Sequence, residues 1–303
     1  MTASGTALRL DEAVELGHAL VQSVAAALNV RALLIKGPVL TQQELRTSRV
    51  SSDVDVLVDP ANLSQLCEAL GRAGWTERAT SLVNQRATLH SQTLTREGWP
   101  CDIDVHGYFP GFMANPQTVF EALWARRVSA IFARQECTVT DRCGSILILA
   151  LHSMSGTRTQ ERHANELEEV ARVLLSSREK VALGQLAFAT GCAATLAEVL
   201  PLMGVPVAPQ TSRDSGELRS WRRRVDSGSY GAYLWLRAFR HSSGRERLRL
   251  ARDVVWPSER DLLNAHPELS GGRWLKLRGR LKRWLRGVRS LPPTARAIWK
   301  NRR

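Results

Sequence analysis

Hydrophobic residues recur at two spacings along this chain, and the switches between them outline its elements. From Leu10 to Leu28 they return every three or four positions (Leu10, Ala13, Val14, Leu16, Leu20, Val21, Val24), which predicts a helix packed on a sheet. Arg31 to Ile35 is a short apolar stretch, read as a strand. Gly37-Pro38 breaks it, and Pro38 suits the first position of a helix running through Leu40 to about Leu45. Ser51 to Val58 alternates polar and apolar positions until Asp59-Pro60 ends it. Ala61 to Ala73 is amphipathic at helical spacing, with Gly74 as its cap. Ala87 to Leu94 and Pro100 to Val105 read as two strands joined by a turn at Glu97-Gly98. Beyond Phe120 the pattern becomes helical and is expected to stay so. The fold class expected is α+β: an α/β domain with a small mixed sheet over residues 1–140, then a helical region over 141–303 ending in a basic amphipathic tail.

Two of these strands carry acids. In Asp53-Val54-Asp55-Val56-Leu57-Val58, residues two apart share a face, so Asp53 and Asp55 project side by side while Val54, Val56 and Val58 point into an apolar layer. In Asp102-Ile103-Asp104-Val105-His106 the same rule puts Asp102 and Asp104 on one face. Adjacent carboxylates repel unless a cation lies between them, and oxygen-only ligands at this spacing suit Mg²⁺. A third carboxylate from a neighbouring strand would complete a two-metal clamp for moving a phosphoryl or nucleotidyl group. The plain alternative is that Asp53 caps a turn and Asp55 faces solvent.

Composition narrows the setting. Hydrophobic residues make up 44% of the chain, as in a folded protein, and the longest apolar run, Ile146 to Leu151, is too short to cross a bilayer. The N-terminus has no basic segment followed by an apolar one, so no secretion signal is expected. Five scattered cysteines fit a reducing compartment and buried thiols, and Cys137 and Cys143 lack metal-ligand spacing. The cytoplasm is the expected location. The net charge of +13 is uneven: from Thr211 onward 24 Lys and Arg face 8 Asp and Glu, whereas the first 210 residues are slightly acidic. Gly272 to Arg303 holds 12 basic residues and no acid, with Trp274, Leu277, Leu281, Trp284, Leu285 and Val288 on one helical face. Such a segment either packs its apolar stripe on its own domain or rests on an anionic surface, whether RNA, a phosphorylated metabolite or lipid.

Strand, tight turn, helix and then a strand with two acids is the layout of the nucleotidyltransferases related to polymerase β. The residues that carry the likeness are Leu33-Leu34-Ile35-Lys36-Gly37, Arg49 four positions before Asp53-Val54-Asp55, and Asp104-Val105-His106. Together they resemble a widespread bacterial family of uncharacterised nucleotidyltransferases. The likeness extends through His152 to Trp256-Pro257-Ser258-Glu259-Arg260 and the basic tail. The resemblance implies that Asp53 and Asp55 hold the Mg²⁺ bridging the phosphates of an NTP, and that with Asp104 they hold a second ion at the acceptor hydroxyl. Asp104 is also a candidate general base. Lys36, Gly37, Arg49 and Ser52 are the nucleotide-binding candidates. Gly37 permits close approach of a phosphate, and Arg49 could clamp its oxygens. Pro38 has no N–H, which removes a donor where many relatives have serine. His106 and Asp102 are accessory candidates, Asp102 being the rival of Asp104 for the third carboxylate. His90 is assigned to packing. His152 and Glu169 are expected to pair between helices.

The function expected is Mg²⁺-dependent transfer of an NMP from an NTP to a hydroxyl- or phosphate-bearing acceptor, with release of pyrophosphate. The acceptor stays open among a small molecule, a natural product such as an antibiotic, a peptide and RNA. Substituting Asp53 or Asp55 by Asn is expected to stop turnover with the fold intact. The alternative is a catalytically degenerate fold of the same type that docks through its basic helices onto RNA, a membrane or a partner protein.

Overall fold

A computed structural model describes residues 8–47, 49–78, 91–155, 161–206, 216–226, 239, 242–256, 259, 262–263, 272, 274–282 and 284–285. These fall into two compact units. The first draws on Met1–Arg78, His90–Met154 and Arg162–Arg213; the second draws on Ala79–Leu89, Ser155–Glu161 and Asp214–Arg303.

The first unit is built on a seven-stranded mixed sheet, so the α+β class holds. Its chain order is α1 (Leu10–Ala27), β1 (Ala32–Ile35), α2 (Pro38–Gln42), β2 (Asp53–Val58), α3 (Leu63–Arg72), β3 (Thr76–Glu77), β4 (Ser91–Thr95), β5 (Asp102–His106), α4 (Pro116–Trp124), β6 (Val128–Phe132), β7 (Gln135–Val139), α5 (Arg142–Ser155), α6 (Glu161–Ala171) and α7 (Ser177–Ala189). In the sheet the strands run β3-β4-β5-β2-β1-β7-β6. The acid strand β2 is central, antiparallel to β1 and parallel to β5.

Burial follows the alternation. Val54, Val56, Val58, Ile103 and Val105 enter one core cluster with Ala13, Val14 and Val21 of α1 and Leu66 and Leu70 of α3. Each of the Val, Leu and Ile side chains contributes about 1.5–3 kcal/mol by leaving water. A one-residue slip of β2 would forfeit that and push Asp53 and Asp55 into the apolar layer, so the register is strongly held. Gly17 brings α1 close to this strand: a Cβ there would lie 2.7 Å from Cγ2 of Val54. Val54 is β-branched and fully buried, so it cannot swing aside. Alanine gains up to ~1 kcal/mol of helix propensity, but overpacking costs about 1–3 kcal/mol. Gly17→Ala should therefore lower stability by roughly 1 kcal/mol net in urea unfolding; a rise would show that helix and strand are not in this contact.

The chain does not stay helical beyond Phe120: after α4 it forms the hairpin β6–β7, and β7 lies parallel to β1 through Leu34 and Val139. The two turn residues, Ala133 and Arg134, both have positive φ (46° and 64°). That is the geometry of a tight hairpin turn, which usually announces itself as Asn-Gly. With Ala-Arg there instead, the signal was missing. The helix α2 also ends at Gln42, short of Leu45. Positions 87–90, including His90, lie outside the described residues. Four of the five cysteines are buried, and all five are free.

In the second unit the described helices are α8 (Gly216–Asp226) and α9 (Gly244–Val255), with further helical residues at 274–282 and 284–285. Trp274, Leu281, Trp284 and Leu285 are exposed there, and Val288 lies outside the described residues. Of the Trp256 to Arg260 segment, Trp256 is exposed, while Pro257, Ser258 and Arg260 lie outside the described residues. Among the described residues no helix is long and apolar enough to cross a membrane.

Candidate active site

The parallel pairing of β2 with β5 sets Asp53 beside Asp102, Asp55 beside Asp104 and Leu57 beside His106. All six belong to the sheet face opposite the Val54 layer. The antiparallel strand β1 ends at Ile35, opposite Asp55, and hands the chain to Lys36 and Gly37. Lys36 has φ 58° and Gly37 φ 52°, ψ −136°. The latter is a region that glycine enters freely and other residues do not. The amide of Val39 closes the turn on the Lys36 carbonyl, with Pro38 at the first position of α2. Arg46 donates to the Gly37 carbonyl at 2.9 Å. The turn bends the Lys36 side chain back over the acids.

There the Lys36 ammonium meets Oδ1 of Asp55 at 2.6 Å, and Nε2 of His106 meets the same oxygen at 2.9 Å. Lys36 also lies over the Phe109 ring, 5.7 Å from its centroid. Asp55 is only 3% exposed. Burial pushes its carboxyl pKa up, but Lys36 and His106 outweigh burial and hold it well below the usual carboxylate range. Burial likewise presses the Lys36 ammonium towards neutrality, yet Asp55, Asp53 and Asp104 prevail and its pKa is raised. Asp53 and Asp104 are shifted upward, by burial first and then by the charge on Asp55.

Asp55 does not face solvent, and the expectation that asparagine there leaves the fold intact is corrected by its burial. It is a buried, ion-paired group on which folding leans, so Asn there changes more than turnover. Asp102 pairs with Arg78 at 2.5 Å, which neutralises it at the sheet surface, whereas Asp104 faces the Lys36–Asp55 pair. Ser52 is exposed; it is Ser51 whose hydroxyl donates to Asp53 Oδ1 at 3.1 Å. Ser51 also flanks the turn, 3.6 Å from where a Cβ on Gly37 would stand. Arg49 pairs with Glu166 of α6. The acid beside His152 is Glu166, which is buried, and not Glu169, which is exposed. His152 is neutral near pH 7, its pKa pushed down to about 3 by burial and by the charge on Lys36.

Two residues of this neighbourhood went unread in the sequence. His18 on α1 is fully buried; its Nδ1 donates to the Val14 carbonyl at 2.7 Å, and burial lowers its pKa to about 4. Its ring lies 3.7 Å from the Gly37 Cβ position, so it is the floor of the turn. His163 on α6 stacks edge-on with His152, centroids 5.5 Å apart. Both occupy helical positions where only tertiary packing reveals a neighbour.

The residues present fit a divalent cation. Asp53, Asp55 and Asp104 bring three potential negative charges and Lys36 one positive charge, so a deficit of positive charge remains in a poorly solvated place. Asp104 Oδ1 is buried and has no hydrogen-bond partner among the described residues. Ligand atoms of Asp55, Asp104 and His106 lie within 4.8 Å of one another. Hard carboxylate oxygens favour Mg²⁺ over softer ions.

No family model and no curated protein matches the chain. Among the solved structures that share part of its shape, three illustrate the likeness, all at low identity. A nucleotidyltransferase-like protein from Paracoccidioides brasiliensis is 10% identical with a TM-score of 0.40, covering 65% of this chain and 94% of its own. The lincosamide antibiotic adenylyltransferase LnuA, bound to lincomycin, is 14% identical with a TM-score of 0.34, covering 52% and 95%. A tRNA nucleotidyltransferase with a primer tRNA and an ATP analogue is 13% identical with a TM-score of 0.27, covering 89% and 93%.

Proposed function

We propose that this chain is a metal-dependent nucleotidyltransferase that moves an NMP from an NTP to a hydroxyl- or phosphate-bearing acceptor. The observation that carries the reading is the parallel register Asp55–Asp104, which gathers Asp53, Asp55 and Asp104 on one sheet face beside the Gly37 turn. Asp53, Asp104 and the free side of Asp55 would hold Mg²⁺, with up to two ions once a triphosphate is bound. Mg²⁺ supplies charge neutralisation at the phosphates and a lowered pKa at the acceptor hydroxyl. Gly37, with no side chain, leaves room for a phosphate against the backbone. Lys36 contributes a fixed positive charge at the same point. His106 braces Asp55, so that carboxylate is oriented before any ligand arrives. Asp104, its pKa raised, is suited to accept the proton of the attacking hydroxyl, because a base works best with a pKa nearer the working pH.

Incubation with α-labelled NTPs and a cell extract tests this. Wild type should transfer label to an acceptor. Asp104→Asn, at a half-buried position, should fold normally and lose at least ~10²-fold of the transfer rate. Label transfer by Asp104→Asn at the wild-type rate would remove the assignment.

One observation favours the second reading, a degenerate fold used for docking. The Lys36 ammonium already neutralises Asp55, and Pro38 leaves the turn one donor short. The exposed Trp and Leu side chains among the arginines of residues 274–285 suit an anionic surface. Calorimetry separates the two readings: no heat with MgNTP, together with salt-sensitive binding to RNA or anionic vesicles, selects docking.

A further inference from the structure

We propose that His152, His163 and Glu166 form a second metal site, suited to Zn²⁺ and distinct from the aspartate cluster, that ties α5 to α6. One ligand atom from each of the three lies within 4.8 Å of the others. His163 Nδ1 and Glu166 Oε2 are already 3.6 Å apart, as neighbours one turn apart on α6. Tetrahedral zinc with bonds of ~2.0–2.1 Å needs ligand atoms roughly 3.3 Å apart. The pair on α6 is close to that spacing, and a ring nitrogen of His152 lies within 4.8 Å of both.

The chemistry of the set is selective. Two imidazoles and one carboxylate are a borderline donor set, which favours Zn²⁺ over Mg²⁺ and leaves a fourth position for water. The surroundings resemble the support that a metal ligand needs. Arg49 engages Oε1 of Glu166, which leaves Oε2 turned towards His163, and the Ser153 hydroxyl donates to Oε2 at 3.5 Å. Glu166 is 4% exposed, so the carboxylate is held in place. His163 Nδ1 is buried and makes no hydrogen bond among the described residues; a buried polar atom in that state is costly. The ion pair with Arg49 occupies one oxygen of Glu166, and a cation held between the other oxygen and the imidazoles would give His163 Nδ1 the partner it lacks.

The site can be tested without any assay of turnover. The untagged full chain, stripped with chelator, is titrated with Zn²⁺ by calorimetry and followed by thermal unfolding; Co²⁺ replaces Zn²⁺ for visible absorption. One equivalent should bind, and at a hundredfold excess over Kd the midpoint should rise by roughly 5 °C. Co²⁺ should show the intense bands of a low-coordinate site. His163→Ala and Glu166→Gln should each weaken Zn²⁺ binding at least 10-fold, while Asp53→Asn and Asp104→Asn bind as wild type. His163→Gln serves if the alanine variant does not fold. Absence of Zn²⁺ binding, binding kept by the His163 and Glu166 variants, or binding lost in the aspartate variants would each overturn the proposal.

Discussion

Asp55→Asn is expected to abolish nucleotidyl transfer, with a loss of at least ~10³-fold, and at the same time to lower stability by about 3 kcal/mol. Both effects have one cause. The Asp55 carboxylate is nearly inaccessible and receives Lys36 at 2.6 Å and His106 at 2.9 Å on a single oxygen. Asparagine has nearly the same shape but no charge, so Lys36 stays buried without its counter-ion. The pH dependence carries a sign that can be checked. Asp55 has a depressed pKa when folded, so its contribution is full above the unfolded value of ~3.9 and is lost as pH falls below it. Urea midpoints measured from pH 7 down to acid should therefore fall less steeply in Asp55→Asn than in wild type. Equal stability of the two proteins at pH 7 would mean that this ion pair does not hold the turn.

Lys36→Met should have the second largest effect, and its pH dependence should run the other way. Methionine fills a similar volume, but it leaves Asp53, Asp55 and Asp104 together with no ammonium between them. Stability at pH 7 should drop by roughly 3 kcal/mol. The three carboxyl pKa values should then rise together, since burial and mutual repulsion both favour the neutral acid. Groups raised in the folded state add stability below their unfolded pKa and lose it as pH rises through the folded value. Asp53 and Asp104 are already raised in wild type, so the variant should gain more stability than wild type on acidification from pH 7 to 5. Millimolar MgCl₂ should also raise the variant's unfolding midpoint more than that of wild type, because the ion takes the place of the lost charge. A variant indifferent to both acid and Mg²⁺ would show that the acids do not share one electrostatic site.

Much of this geometry was legible in the chain. Alternation in Asp53-Val54-Asp55-Val56 and in Asp102-Ile103-Asp104-Val105 already separates an acid face from an apolar face, because a strand turns successive side chains to opposite sides. The break at Gly37-Pro38 likewise marks a sharp turn before a helix. Other features left no local trace. Ala133-Arg134 adopts a turn that other sequences signal with Asn-Gly, so the β6–β7 hairpin hid inside a helical reading. Glu166, Glu168 and Glu169 stand close together on one helix, and nothing local says that Glu166 is the one that faces Arg49 and the two histidines.

Sequence alone therefore determined most of the kinds of element up to Phe120, the side of each strand that bears acid, and the concentration of positive charge beyond Thr211. Those are properties of short stretches, governed by periodicity, steric preference and composition. Only the tertiary structure decided that β5 lies parallel to β2 with Asp104 abreast of Asp55, that Lys36 folds back to share Asp55 with His106, and that Glu166 turns inward. These depend on contacts between residues from 19 to 117 positions apart, or on which helix face meets the sheet. Burial and charge compensation across the whole unit make that choice, and no window of the chain contains it.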